Sequence, residues 1–233
     1  MYFSLPVISF KAIRNNDDFA LNSVRKACET TGMFRLTEHG LESQSENFLK
    51  NMKAYFSQPL EHKKLLERNE KNPWGYFDSE LTKNKRDWKE IFDLVATSSN
   101  DVFESEMRWP ETPKLFKKIN LDWHKKNRDI AITLLGKISL ILGAPEEELT
   151  KFFTKEDTSF LRLNHYPVCN HPAKSHRDFT GDGHLGIYDH TDAGALTILA
   201  QSETPGLQIR EDSHWKTVTS KEGELIVNTG DLL

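Results

Sequence analysis

The spacing of hydrophobic residues changes close to residue 157, and this change constrains the fold more than any other feature of the chain. Before it, hydrophobic residues recur at the spacing of amphipathic helices, most clearly from Pro113 to Leu142. After it, short runs alternate with period two and are separated by glycine and proline, as in successive strands. The pattern predicts an α+β fold with a mainly helical portion, residues 1–157, and a β-rich portion, residues 158–233, that together form one structural unit.

The same periodicities predict the individual elements. The predicted helices are Asp17–Thr30 with Asp17 as N-cap, Ser43–Phe56, a charged stretch after Pro59, Pro113–Leu142 and Glu146–Phe153. The predicted strands are Leu5–Phe10, Gly32–Leu36, Ile91–Val95, Phe160–Tyr166, Leu185–Tyr188, Ala195–Ala200, Leu207–Arg210, Trp215–Val218 and Glu224–Asn228. Residues 72–88, which contain Pro, Gly and many polar residues, are predicted to be a long connection. Many short strands in succession are typical of a sandwich or a jelly roll.

Charge and hydrophobicity argue against several classes of partner. The net charge of −4 provides no basic surface for nucleic acid. No apolar run reaches the roughly 18 residues needed to span a membrane, and the N-terminus lacks the basic and apolar regions of a signal peptide. Cys28 and Cys169 lie far apart and match no metal or redox spacing. We therefore expect a cytoplasmic protein without nucleic-acid or membrane partners.

A candidate metal site lies between two apolar runs near the C-terminus. His190 and Asp192 are two positions apart, so in a strand their side chains would share one face. One imidazole and one carboxylate are two of the three ligands of the 2-His-1-carboxylate triad that holds non-haem Fe(II). The alternative is a histidine and a carboxylate on a solvated rim, since so short a pattern also arises by chance. A second copy, His176 and Asp178, lies in a polar, Gly-containing segment and is interpreted as solvated.

Several longer stretches occur together in a characteristic order. They are LPVI at 5–8, GMFRLTEHG at 32–40, DWKEIFD at 87–93, RLNHYP at 162–167, HTDAGALT at 190–197 and GELIVNTGDLL at 223–233. In these stretches the chain resembles the isopenicillin N synthase-like family of the 2-oxoglutarate/Fe(II)-dependent oxygenase superfamily. The resemblance implies a distorted jelly roll, also called a double-stranded β-helix and cupin-like, supported by N-terminal helices.

The resemblance also implies a reaction and a set of site residues. His190 and Asp192 correspond to iron ligands, and Asn164 and Tyr166 to positions that hydrogen-bond the co-substrate. The implied cofactor is Fe(II), with 2-oxoglutarate and O₂ as co-substrates. The implied reaction is the hydroxylation, desaturation or ring closure of a small metabolite, with release of succinate and CO₂, by a monomer. His165 and His39 are expected to have packing roles.

The family pattern has two further features that this sequence does not contain. A second histidine ligand and an Arg-x-Ser pair are expected beyond Leu233, so the third metal ligand is unknown and C-terminal strands are expected to be missing. His214 is a poor substitute because it lies in a predicted surface hairpin. We therefore expect these 233 residues to be an incomplete chain with doubtful activity of their own.

Three alternative functions stay open. The chain can be a non-catalytic relative that acts as a binding protein, or an isopenicillin N synthase-type oxidase that does not use 2-oxoglutarate. A zinc hydrolase is the third, weaker alternative. The sequence does not name the substrate: the aromatic residues that could line a pocket are Tyr76, Phe77, Phe92 and Phe179, although core packing is the commoner role of such side chains.

Overall fold

Strands from the two ends of the chain pair with each other. The computed structural model describes residues 2–95, 107–153, 159–173, 183–211 and 214–233. In chain order its elements are β1 (Tyr2–Phe3), β2 (Val7–Ser9), α1 (Phe10–Arg14), α2 (Asp18–Thr30), β3 (Met33–Thr37), α3 (Glu42–Phe56), α4 (Leu60–Lys64), β4 (Gly75–Phe77), β5 (Leu81–Thr82), β6 (Lys85–Arg86), β7 (Glu90–Leu94), α5 (Phe116–Ile141), α6 (Glu147–Thr150), β8 (Leu161–His165), β9 (Leu196–Ala200), β10 (Gln208–Glu211), β11 (His214–Val218) and β12 (Leu225–Thr229).

The chain divides into two units, and each is built from separate stretches of sequence. The first unit comprises Met1–Leu49, Lys125–Thr158 and Thr191–Leu233, and the second comprises Lys50–His124 and Ser159–His190. The division falls within α3 and α5. Long-range pairing therefore assembles both units.

The first unit contains two sheets. In the four-stranded sheet the order is β2-β3-β12-β9, with β2 parallel to β3 and the other neighbours antiparallel. In the three-stranded sheet the order is β1-β11-β10. Leu5, Val218 and Ile226 are fully buried together and form a core cluster of this unit. Because strands from residues 2–37 pair with strands after residue 195, the unit forms only when distant parts of the chain meet.

The second unit contains an antiparallel sheet in the order β4-β7-β8 and a separate hairpin of β5 and β6. Its core is aromatic: the ring of Tyr55 lies 5.1 Å from Phe92 and 4.8 Å from Phe116, measured between centroids. Tilted and edge-on contacts of this kind add to the stabilisation from burying the rings. Three charged side chains of β7 and the residues before it are also buried: Asp87 and Lys89 pair with each other, and Asp93 pairs with Arg162 of β8.

The α+β prediction is confirmed, and most predicted elements lie within a few residues of the observed ones. Two of the predicted elements are wrong. Leu185–Tyr188 is not a strand, because its neighbourhood provides one isolated bridge, from His184 to Pro172, rather than a paired ladder. Residues 72–88 are not a plain connection, because they contain β4 and the β5-β6 hairpin. Among the residues described, none of the helices combines the length and the hydrophobicity needed to cross a bilayer.

The predicted N-cap of α2 gives a direct test of the helix boundary. The Asp17 carboxylate accepts a hydrogen bond from the Ala20 backbone N–H at 2.9 Å. Replacement of Asp17 by alanine removes this bond, so we expect Asp17→Ala to lower the free energy of unfolding by about 1 kcal/mol. Asp17→Asn keeps an acceptor at this position and should unfold at nearly the wild-type urea concentration. Equal loss of stability in both variants would contradict the capping role.

Candidate metal and co-substrate site

His190 lies in an irregular segment rather than in a strand, which corrects the strand context assumed from its sequence. Its Nδ1 lies 2.9 Å from the Tyr188 carbonyl oxygen. A carbonyl oxygen can only accept, so Nδ1 must carry the hydrogen in this contact, and in the neutral imidazole Nε2 then carries the lone pair. The same arrangement, with one ring nitrogen donating to a carbonyl, is what orients histidines that bind metal through the other nitrogen.

Asp192 is held by two side chains of the four-stranded sheet. Its Oδ2 accepts hydrogen bonds from Thr197 Oγ1 at 2.5 Å and from Asn228 Nδ2 at 2.9 Å. Thr197 in β9 and Asn228 in β12 face each other in the strand register. Two donors on one oxygen fix the rotation of the carboxylate, so its direction is set before any ion binds.

The backbone around Asp192 is held by the segment that follows β12. Asp231 N–H donates to the Asp192 carbonyl at 2.8 Å, and Gly230 N–H donates to the Ala195 carbonyl at 2.9 Å. Thr191 Oγ1 also donates to the Asp231 carboxylate at 2.8 Å. Residues 190–197 and 223–233 are two of the family stretches, but neither stretch contains a signal that residues of one hold the other.

Of the two predicted co-substrate residues, Asn164 lies in β8 and Tyr166 lies just beyond the end of that strand. Asn164 is half-buried, and its register partner is Ile91 of β7. Tyr166 packs its ring against Gly186: a Cβ added to Gly186 would lie 2.8 Å from Tyr166 Cδ1. Desolvation of the ring, with the negative charge of Asp87 nearby, raises the pKa of Tyr166 to about 12. A tyrosine phenol is neutral at physiological pH even at its usual pKa of about 10, so Tyr166 can donate a hydrogen bond there.

Two other histidines have structural contacts, as their sequence positions indicated. His39 accepts a hydrogen bond from Leu41 N–H at Nδ1, so its Nε2 donates to the Gly223 carbonyl at 2.8 Å. His165 stacks on Phe56 with 5.3 Å between ring centroids and 18° between planes. Burial lowers the pKa of His165, which favours the neutral ring in this stack.

The remaining predicted candidates add nothing to the metal site. Within the residues that the structure describes, no three His, Cys, Asp or Glu side chains are grouped so that they could hold an ion. His214 begins β11. Tyr76 and Phe92 are fully buried, and Phe77 lies under the Arg68 guanidinium at 3.8 Å. His176, Asp178 and Phe179 lie outside the described residues.

Comparison with known proteins identifies the family. Residues 158–233 match the profile described as 2OG-Fe(II) oxygenase superfamily, and residues 5–112 match the one described as non-haem dioxygenase in morphine synthesis N-terminal. The chain belongs to the 2-oxoglutarate/Fe(II)-dependent oxygenase superfamily. Both profiles describe Fe(II)- and 2-oxoglutarate-dependent or non-haem dioxygenases, which agrees with the family that the sequence motifs indicated.

Relatives in this superfamily cover nearly the whole chain. The oxoglutarate-dependent flavonoid 7-O-demethylase 1 of Ocimum basilicum is 32% identical over 98% of this chain and 60% of its own length. Gibberellin 3-beta-dioxygenase 3 of Arabidopsis thaliana is 32% identical over 98% of this chain and 65% of its own. The chain thus spans about three fifths of the length of these oxygenases.

Solved structures in the superfamily have the same fold. The crystal structure of JOX2 in complex with 2OG, Fe and JA superposes with a TM-score of 0.83 at 23% identity, and covers 99% of this chain and 66% of JOX2. The 2-oxoglutarate complex of the dioxygenase for auxin oxidation 1 from Arabidopsis thaliana gives a TM-score of 0.72 at 24% identity, covering 98% of this chain and 80% of that dioxygenase.

Gly230 lies against the backbone of residues 192–194, with too little space for a side chain. A Cβ added to Gly230 would lie 2.6 Å from the Asp192 carbonyl oxygen and also too close to the Gly194 carbonyl. Gly230→Ala must therefore displace backbone, and we expect it to lower the free energy of unfolding by about 1–3 kcal/mol. Gly206→Ala is the matched control, because an added Cβ there meets no atom within 4 Å. Urea unfolding of both variants checks this, and equal stability would contradict the packing argument.

Proposed function

We propose that this chain is the larger part of a dioxygenase that uses Fe(II) and 2-oxoglutarate to oxidise a small organic molecule, with His190 and Asp192 as iron ligands. The observation that carries the proposal is the Asp192 carboxylate, fixed by Thr197 and Asn228 within the region that matches the oxygenase profile. These two hydrogen bonds distinguish Asp192 from a carboxylate on a solvated rim, which would be hydrogen-bonded mainly by water.

The donor atoms fit iron. A neutral imidazole nitrogen and a carboxylate oxygen are the ligand types of the 2-His-1-carboxylate triad. His190 meets this need through its Nδ1 contact with the Tyr188 carbonyl, and Asp192 through its fixed carboxylate. We propose that the third ligand, the Arg-x-Ser pair and the remaining strands of a jelly roll come from sequence outside these 233 residues. The greater length of the relatives supports this, and β9 has one neighbour in its sheet among the residues described.

Protein groups other than the ligands position the reactants. When bound, Fe(II) supplies the oxidising chemistry with O₂ and 2-oxoglutarate, and the products from 2-oxoglutarate are succinate and CO₂. We propose that Asn164 and Tyr166 hydrogen-bond 2-oxoglutarate, for which a neutral phenol is a suitable donor. Thr197 and Asn228 hold the carboxylate direction, and so they reduce the reorganisation needed when the metal binds.

The relatives support a proposal for the substrate class. One is named as a flavonoid 7-O-demethylase and another as a gibberellin 3-beta-dioxygenase. We propose a small organic metabolite for this protein as well, and hydroxylation, desaturation or ring closure as the outcome. A cytoplasmic monomer remains our prediction for its location and assembly.

The full-length protein tests the proposed reaction. Incubation with Fe(II), ascorbate, 2-oxoglutarate and a panel of plant-type small metabolites should release succinate in step with a product oxidised by O₂. His190→Ala should abolish the release, because it removes one iron ligand. Product formation without 2-oxoglutarate would instead favour an isopenicillin N synthase-type oxidase. Absence of turnover with every metabolite, together with tight metabolite binding, would favour a non-catalytic relative.

Metal affinity tests the role of the residues around Asp192. Asn228→Ala removes a donor to the carboxylate, so we expect Co(II), used in place of Fe(II), to bind the full-length protein about 10–100-fold more weakly. Asn15→Ala, at the end of α1 in the same unit, should leave the affinity unchanged. Calorimetric titration measures both. An Asn228→Ala protein that binds Co(II) as tightly as wild type would show that the carboxylate does not need this bond.

The co-substrate role of Tyr166 has a separate test. Tyr166→Phe keeps the ring against Gly186 but removes the hydroxyl, so we expect KM for 2-oxoglutarate to rise roughly 10-fold, as for loss of one hydrogen bond to a charged group. The Co(II) affinity should not change. An unchanged KM would exclude a hydrogen bond from Tyr166 to the co-substrate.

A further inference from the structure

We propose that Asp87 is a positioning residue for His190 and acts through the backbone of Tyr188. The proposal rests on the proposed function, because it takes His190 to be a metal ligand. All the groups concerned lie in the second unit. We call residues 81–88 the hairpin segment and residues 184–190 the ligand segment.

Asp87 is a buried carboxylate with one oxygen held by Thr82 of the hairpin segment and by Lys89, the residue that follows this segment. It is 1% exposed, and its Oδ2 accepts a hydrogen bond from Thr82 Oγ1 at 2.8 Å. The same oxygen lies 3.1 Å from the Lys89 ammonium, which is itself 4% exposed. A buried charge persists only when it is paired and hydrogen-bonded. The partners of Oδ2 therefore hold the Asp87 carboxylate in one orientation.

The other oxygen of Asp87 faces the ligand segment. Oδ1 accepts a hydrogen bond from the Tyr188 backbone N–H at 3.3 Å. The carbonyl of the same residue is the group that His190 Nδ1 contacts at 2.9 Å. Tyr188 is thus held at its amide by Asp87, and it presents its carbonyl to the imidazole. The N–H and the carbonyl of Tyr188 belong to successive peptide planes that meet at its Cα, so a displacement of Tyr188 away from Asp87 would also move the carbonyl that orients the His190 ring.

Further contacts hold the ligand segment against the hairpin segment. The backbone N–H of Trp88 donates to the Leu185 carbonyl at 2.9 Å, and the Trp88 ring stacks on His184 with 4.7 Å between centroids. Lys83 forms an ion pair with Asp189 at 2.7 Å. These contacts position the ligand segment as a whole. The Asp87–Tyr188 hydrogen bond holds the residue whose carbonyl contacts Nδ1 of His190, the proposed ligand.

Two variants separate a positioning role from a contribution to stability. Asp87→Ala with Lys89→Met removes the carboxylate and its ammonium partner together, so that no unpaired charge is left. Thr82→Val removes a hydrogen bond to the same carboxylate but leaves Oδ1 and Tyr188 in place. Both variants weaken the hairpin segment, whereas only the first one releases the Tyr188 amide.

Co(II) binding to the full-length protein is the main measurement, followed by titration and by the visible spectrum of the bound ion. We expect the double variant to bind Co(II) about 10–100-fold more weakly, as for loss of other groups that orient a ligand, and to show an altered spectrum. Thr82→Val should stay within about twofold of wild type. A folded double variant with wild-type affinity and spectrum would overturn the proposal, as would equal loss of affinity in both variants.

Hydrogen exchange at the Tyr188 amide is a second measurement, and it does not require the double variant to fold. In the wild-type protein the Tyr188 amide should exchange far more slowly than an unprotected amide, because Asp87 accepts its hydrogen. Exchange at the unprotected rate would overturn the proposal.

His190→Ala distinguishes failure of the proposed iron site from failure of the proposed role of Asp87. If His190→Ala does not weaken Co(II) binding, the iron site of the proposed function is wrong. If it does and the double variant has no effect, only the role of Asp87 is wrong.

Discussion

Backbone hydrogen bonding in an irregular stretch is the constraint on which the candidate site depends. Residues 183–195 contain a single isolated bridge and no strand, so their N–H and carbonyl groups need partners from elsewhere. Asp87 and Trp88 provide such partners in the second unit. Gly230 and Asp231 provide them in the first. The positions of His190 and Asp192 therefore follow from these hydrogen bonds rather than from the pleat of a strand.

Each proposed ligand is held by the kind of group that its chemistry requires. An imidazole that is to bind metal through one nitrogen must donate from the other, and the Tyr188 carbonyl accepts from His190. A carboxylate must instead be held by donors, and Thr197 and Asn228 donate to Asp192. These three hydrogen bonds set the directions of an imidazole and a carboxylate whose side chains would otherwise rotate more freely.

Sequence patterns were reliable where the structure is local. The helix from Asp18 to Thr30 is confirmed together with its cap, because hydrophobic spacing and an N-cap residue act within one element. The wrong strand at Leu185–Tyr188 shows the limit of that reasoning. An apolar run forms a strand only when another strand pairs with it, and here the run lies against the hairpin segment, with Gly186 under the Tyr166 ring.

Residue type and spacing along the chain were enough to predict the α+β class, most of the helices to within a few residues, and the family stretches that contain His190 and Asp192. Which residues hold those two side chains is visible only in the folded chain. Asp87 is 101 residues from Tyr188 along the chain, and Asn228 is 36 residues from Asp192. Contacts at such separations leave no periodic signal in a single sequence, since they depend on how distant segments pack rather than on spacing along the chain.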